Sequence, residues 1–260
     1  MTPTLRLVGG PTALITYGGL RLLTDPTFDP PGEYPRPGTP IVLRKLRGPA
    51  LPPGELGPVD AVLLSHDHHS DNLDGAGRAL LPRVGRVLTT DAGAERLGQG
   101  ATALGPGDSV ELERPGGGGP VRVTAVPAEH GPPEVAARNG PVIGFVLRAN
   151  GLPTTYVSGD NASLEVVRAV AAEHGPIDAA VLFAGGARVP EAYGEARLTL
   201  SAETAVEAAR ALDPALIVPI HQEGWAHFSS SPQDLLLAFA AAELSGRLRM
   251  VAPGERVPLA

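Results

Sequence analysis

Four short apolar runs in this chain stop at or just before a histidine or an aspartate, and that pattern restricts the fold more than any other feature. Asp60-Ala-Val-Leu-Leu-Ser65 leads directly to His66, and Val121-Arg-Val-Thr-Ala-Val126 precedes His130. Thr155-Tyr-Val-Ser-Gly159 leads to Asp160, and Leu216-Ile-Val-Pro-Ile220 leads to His221. Apolar runs of this length read as buried strands. A strand end suits a polar site, because the chain turns there and several side chains can converge on one point. Gly159 is expected to let the backbone come close to a ligand.

Strands are also expected over residues 5–8, 13–17, 20–23, 87–89, 109–112, 121–126, 142–147, 154–157 and 179–183. The second half alternates strands with helices. Leu164, Val167, Val170 and Ala171 mark one helix face. Ser201 caps a helix with apolar Ala205, Val206, Ala209 and Leu212, and Ser231-Pro232 starts another that turns Leu235, Leu236 and Phe239 inward. A helix is expected within 72–81, and Asp91 is a candidate cap for a short one through Leu97. No internal repeat and no change of composition divides the chain, so one domain over 1–260 with two layered halves is the simplest reading. Residues 28–58 carry nine prolines and read as a long loop, either a flap packed near the site or a linker.

Cysteine is absent, so disulfides, thiolate metal sites and cysteine nucleophiles are all excluded, and any transition metal must be held by imidazole and carboxylate. The formal charge of -7 argues against nucleic acid as a partner, since Arg78, Arg83, Arg86 and Arg96 are scattered and Lys45 is the only lysine. No apolar run approaches the roughly 20 residues of a bilayer span. The N-terminus lacks a signal-peptide pattern, so the expected location is cytoplasmic without integral membrane association. The expected partner is a small-molecule substrate, and a homo-oligomer is compatible with the composition.

Three of the seven histidines fall in Ser65-His-Asp-His-His-Ser-Asp-Asn72. Three imidazoles and two carboxylates within six residues form a metal-binding pattern, and His130, Asp160 and His221 are the candidates to complete it. Each of the latter also has a plainer reading, as a turn residue, a helix cap and a core histidine respectively. His227, in His221-Gln-Glu-Gly-Trp-Ala-His227, is a candidate to contact substrate or donate a proton to a leaving group. Trp225 reads equally well as packing anchor or substrate platform, and His174 as a cap-region residue.

The order of these elements resembles the metallo-β-lactamase superfamily of hydrolases. The matches are Leu63-Leu-Ser-His66 with His68 or His69 and Asp71, then His130, Ser158-Gly-Asp160 and Pro219-Ile-His221, with Leu22-Leu-Thr-Asp25-Pro similar to an early element of the same proteins. The branch it looks closest to contains the L-ascorbate-6-phosphate lactonase and the phospholipase D-type hydrolases of N-acylethanolamine lipids. The resemblance implies an α/β fold, an αββα sandwich of two mixed sheets. It also implies one or two divalent ions, zinc first, with manganese or iron(II) as alternatives. His66, the second cluster histidine and His130 would hold one ion; Asp71 and His221 would hold the other, with Asp160 bridging.

The sequence departs from the family signature twice. One extra residue before Asp71 leaves His68 and His69 both open as the second ligand, and an alternative register aligns Asp67, His69, Asp71 and Asn72 with the signature. Asn72 stands where the family usually has histidine and offers only a neutral amide oxygen, which leaves the second ion weakly held, harder than zinc, or absent. The expected activity is hydrolysis of an ester, lactone or phosphodiester bond by a metal-bound hydroxide, with Asp71 holding the second metal or orienting the hydroxide. The alternative is a metal-binding or ligand-sensing protein of the same fold without turnover.

Overall fold

In the computed structural model, which describes residues 2–260, period-two burial extends to both faces of most strands. In the run Ala179–Phe183, for example, Ala179, Val181 and Phe183 enter one apolar cluster while Ala180 and Leu182 enter another. A strand buried on both sides must lie between two packed layers, and the architecture follows from that.

The strands are β1 (Thr4–Gly9), β2 (Thr12–Tyr17), β3 (Leu20–Thr24), β4 (Gly32–Pro35), β5 (Val42–Lys45), β6 (Ala61–Leu63), β7 (Val87–Thr89), β8 (Ala101–Ala103), β9 (Ser109–Leu112), β10 (Val121–Ala128), β11 (Val142–Arg148), β12 (Thr155–Val157), β13 (Ala179–Phe183), β14 (Leu216–Ile220) and β15 (Arg256–Pro258). One sheet of seven strands has the order β15-β1-β2-β3-β6-β7-β8, and a second of six has the order β14-β13-β12-β11-β10-β9. Both are mixed. Pairing is antiparallel from β15 to β3 and parallel from β3 to β8; in the second sheet β12, β13 and β14 are parallel and the rest antiparallel.

Residues such as Leu5, Ile15, Tyr17 and Leu63 from the first sheet meet Val123, Phe145, Val181 and Ile220 from the second in one continuous core. Helices α1 (Gly75–Leu80) and α2 (Asp91–Leu97) lie on the first-sheet half of the chain, where Leu80 packs with Leu14, Leu23 and Val62. Following α3 (Pro133–Asn139), helix α4 (Leu164–His174) packs on the outer face of the second sheet. After the single turn α5 (Pro190–Tyr193), α6 (Ala202–Leu212) and α7 (Pro232–Ala241) join it there. The molecule is thus an αββα sandwich. No helix is long and apolar enough to cross a membrane among the described residues.

Local chemistry explains most helix starts. Ser201 and Ser231 each form a reciprocal capping box with the third helical residue, Thr204 and Asp234. Helix α2 is capped by Thr90, whose side chain accepts from Gly93 N, so Asp91 is its first residue rather than its cap. On α7 the buried pair Leu235 and Phe239 is spaced by four, which leaves Leu236 on the solvent side, 45% exposed. The proline-rich segment is neither linker nor wholly loop. Strands β4 and β5 pair within it as a separate antiparallel ribbon, where Pro35 needs no ladder donor on its open side. The ribbon is tied down at its base: Leu46 N donates to Gly224 O (2.7 Å), and Ala226 N donates to Arg44 O (2.9 Å).

Candidate metal centre

Strands β6, β10, β12 and β14 end at the same rim of the sandwich, and their following residues deliver His66, His130, Asp160 and His221 to one place. The His66 ring is held from behind. Ser65 donates its backbone N–H to Asp25 Oδ1 (2.6 Å) and its hydroxyl to Asp25 Oδ2 (2.9 Å), and the hydroxyl lies 2.9 Å from His66 Nδ1. A hydroxyl whose proton is committed to Asp25 accepts from Nδ1–H, which leaves the Nε2 lone pair free. His130 is oriented likewise: Nδ1–H donates to the Leu198 carbonyl at 2.7 Å. His69 Nδ1 then lies 2.9 Å from His66 Nε2 and 3.2 Å from His130 Nε2.

Asp160 lies between this triad and a second set. Its Oδ2 is 3.6 Å from His130 Nε2 and its Oδ1 is 3.4 Å from His221 Nε2, which in turn is 3.6 Å from Asp71 Oδ2. His66, His69, His130 and Asp160 form one group whose ligand atoms lie within 4.8 Å of each other; Asp71, Asp160 and His221 form another. Both Asp160 oxygens and both His221 ring nitrogens are buried without a hydrogen-bond partner. Facing imidazole lone pairs beside a carboxylate without donors are costly in an apolar interior, and a cation between them removes that cost. The donor set therefore fits metal ions.

The electrostatics agree. Burial, then the neighbouring imidazoles, holds His66 and His69 well below the usual histidine range, and burial holds His130 down at about 4, so all three are neutral ligands near pH 7. Burial also lowers His221. Asp160 is pushed well above the usual carboxylate range by burial and then by the charges of Asp71 and Asp25. Burial acts the same way on Asp71, but the neighbouring His221 imidazole and the hydrogen bond from His227 outweigh it and hold its carboxyl well below that range. Asp25 is raised to about 7 by burial, despite donors from Ser65 and Asn72.

Backbone strain collects here too. Asp25 (φ 24°) and His221 (φ 53°) are two of the positive-φ residues other than glycine, a conformation that costs such residues of order 1 kcal/mol or more. The His221 backbone is held in it by its N–H bond to Gly10 O (2.9 Å). Gly159 (φ 57°) is required by packing. A Cβ there would stand 2.6 Å from the Ile143 carbonyl and 3.0 Å from Ser65 Cβ, so the glycine lets the Asp160 turn close against β11 and the histidine turn. Ser163, not Asp160, caps α4.

Of the two open positions in the turn, the structure brings His69 into the group and turns His68 away. His68 Nε2–H donates to the Asn139 carbonyl, and Nδ1 lies beside Arg96. The register beginning at Asp67 is excluded by the same turn, because Asp67 is paired with Arg96. Asn72 Nδ2 reaches towards Asp25 Oδ2 (3.4 Å), and its Oδ1 is buried without a partner. Trp225 is a packing anchor, edge-on to Tyr34 at 5.7 Å with Lys45 Nζ 5.4 Å from its ring centre.

The centre opens into a narrow cleft between the β4–β5 ribbon and α5. His69, Asp71, His130 and His227 line its floor, and Ile41, Leu43, Val189 and Leu198 its sides. His227 Nε2 is 3.0 Å from Asp71 Oδ2, and its Nδ1 has no partner. The sequence reading missed Ser65 and the Leu198 carbonyl as ring orienters, and it valued Asp25 only as part of a strand–Asp–Pro element. The position of Asp25 at the end of β3, next to β6, was the available signal.

A rim of histidines and aspartates on an αββα sandwich defines a class of metal-dependent proteins, and comparison with known proteins gives the family. The family model described as "Beta-lactamase superfamily domain" matches residues 20–222, and the chain belongs to that superfamily. A UPF0173 metal-dependent hydrolase of Anaeromyxobacter dehalogenans is 28% identical over 93% of this chain and 81% of its own. One from Pyrococcus furiosus is 23% identical over 96% of this chain and 97% of its own. Among solved structures, a possible metal-dependent hydrolase from Veillonella parvula superposes with TM-score 0.83 at 18% identity over the whole of both chains. The isothiocyanate hydrolase from Delia radicum gut bacteria does so with TM-score 0.81 at 20% identity over 99% of each. The relatives are thus named as metal-dependent hydrolases, and the neighbours share the metallo-β-lactamase fold.

Proposed function

We propose that this protein is a hydrolase with two metal ions that cleaves an ester, lactone or phosphodiester bond in a small molecule. The observation that carries the reading is the pair of ligand groups joined at Asp160, whose two oxygens are buried and without donors. His66 Nε2, His69 Nδ1, His130 Nε2 and Asp160 Oδ2 would hold one ion; Asp160 Oδ1, His221 Nε2 and Asp71 would hold the other. Three imidazoles and a carboxylate suit zinc in the first position, while the second, with two carboxylates and one imidazole, suits a harder ion equally. When bound, the ions supply Lewis acidity and a nucleophilic water at neutral pH.

The chain's own residues do the rest. Asp71 accepts from His227 Nε2–H and so fixes the ring at the cleft floor, with the Nδ1 lone pair free to take a proton and return it to the leaving group. The apolar sides hold the substrate body and exclude water. The branch of ascorbate-6-phosphate lactonases and N-acylethanolamine phospholipases remains the reading for bond type, supported by the order of the motif. Metal-loaded protein is expected to hydrolyse 4-nitrophenyl butyrate or bis(4-nitrophenyl) phosphate, to stop on chelation and to recover on metal addition. A fully loaded protein inert towards both would favour a ligand-sensing role instead.

A further inference from the structure

The cleft carries one arginine among its apolar sides. Arg36 follows β4 at the tip of the ribbon, where its N–H donates to Ile41 O (2.9 Å) and its carbonyl accepts from Thr39 N (3.2 Å). The half-buried guanidinium lines the cleft and donates through Nη1 to the Tyr193 hydroxyl at 3.1 Å. That hydroxyl donates to Asn139 Oδ1 (2.6 Å), and Asn139 Nδ2 donates to the His130 carbonyl (2.9 Å). A chain of three hydrogen bonds thus sets Arg36 relative to a residue of the metal centre.

Arg96, Arg188 and Arg247 each pair with an acid. Among the described residues no carboxylate lies within the 4.0 Å of an ion pair from Arg36. A guanidinium has five N–H donors, and Tyr193 uses one. An arginine fixed by a tyrosine, with donors to spare and no acid of its own, is arranged for an anion that comes with the substrate.

We infer that Arg36 determines specificity by binding a carboxylate on the substrate, whose apolar body lies against Ile41, Leu43, Val189 and Leu198 while the scissile bond faces the metal centre. A single guanidinium balances a monoanion, whereas a phosphate monoester carries about -1.5 to -2 charges and would be left uncompensated between apolar walls. The inference rests on the hydrolase reading above for the word substrate, but not for the anion site itself.

The kinetic test compares 4-nitrophenyl butyrate with 4-nitrophenyl hydrogen glutarate, which differ by a terminal carboxylate, on metal-loaded wild type, Arg36→Met and Arg36→Lys. Wild type is expected to favour the glutarate by about 10- to 100-fold in kcat/KM, chiefly through KM. Arg36→Met brings the ratio towards one, and Arg36→Lys keeps part of it. A wild-type ratio of one, or equal losses on both esters in Arg36→Met, overturns the inference. A second measurement needs no turnover: calorimetric binding of 4-phenylbutyrate and 4-phenylbutanamide to metal-loaded wild type and Arg36→Met. Should neither ester nor bis(4-nitrophenyl) phosphate be hydrolysed, the hydrolase reading fails while this pair still decides the anion site. Preference for the acid that disappears in Arg36→Met supports it; acid bound equally tightly by Arg36→Met, as direct metal binding would give, overturns it.

Discussion

His227 Nε2 lies 3.0 Å from Asp71 Oδ2, although 156 positions separate the two residues. The same carboxylate oxygen is 3.6 Å from His221 Nε2. One side chain therefore joins the second ligand group to the imidazole at the cleft floor, and the two positions are expected to fail differently when altered.

Replacing His227 with alanine removes a proton carrier but no ligand of either group. His227→Ala is expected to lower kcat by about 10²- to 10⁴-fold, the usual contribution of general acid–base catalysis, and to keep its metal. Asp71→Ala is expected to lose activity and one ion together. Steady-state kinetics paired with metal analysis of both variants checks this, and a His227→Ala effect confined to KM would contradict it.

Asp25 touches no ligand group directly and acts through Ser65 on His66. Loss of such an outer support typically weakens metal binding by about 10- to 100-fold. Ser65→Ala, which removes the hydroxyl and leaves Asp25 its backbone donor, is expected to show that loss in a competitive chelator titration, with a near-wild-type thermal midpoint. An unchanged metal affinity would remove Asp25 and Ser65 from the account.

Metal binding should release protons, chiefly from Asp160. Burial raises its carboxyl well above the usual carboxylate range, so a binding ion competes with a proton there up to a higher pH than at an ordinary carboxylate, while the lowered histidines offer less competition. Affinity therefore rises with pH. Calorimetry in buffers of different ionisation enthalpy reads the number released, and Asp160→Asn is expected to release fewer. Equal release by both proteins would point to the histidines instead.

The ribbon that carries Arg36 is anchored by a buried ion pair, Lys45 Nζ to Asp74 Oδ2 at 3.1 Å, and Asp74 Oδ1 caps α1 by accepting from Gly77 N (2.8 Å). Removing one partner of a buried pair commonly costs about 3–5 kcal/mol, because the other charge is stranded. Asp74→Ala is expected to lose that much in urea unfolding, and a change under about 1 kcal/mol would show that Lys45 finds water.

Sequence made the sandwich legible wherever two signals agreed. Strands 179–183 and 216–220 are uninterrupted apolar runs, and the helices after Ser201 and Ser231 pair a cap with helical spacing. The strand-end residues His66, His130, Asp160 and His221 were legible because their order along the chain is local information. The choice between His68 and His69 was not, since adjacent residues in a turn differ only in backbone rotation, and it is set by Asn139 and Arg96 from distant segments. Strands β4 and β5 were hidden by the prolines around them. Arg36 had no signal at all, because its meaning comes from Tyr193, 157 positions away.

The most direct test of the two-ion centre is elemental analysis of wild type and Asp160→Asn, both purified without chelators. The account predicts about two divalent ions per wild-type chain and a clear loss in the variant, because both groups share that carboxylate. Wild type without bound metal, or a variant that keeps the full complement, would contradict it.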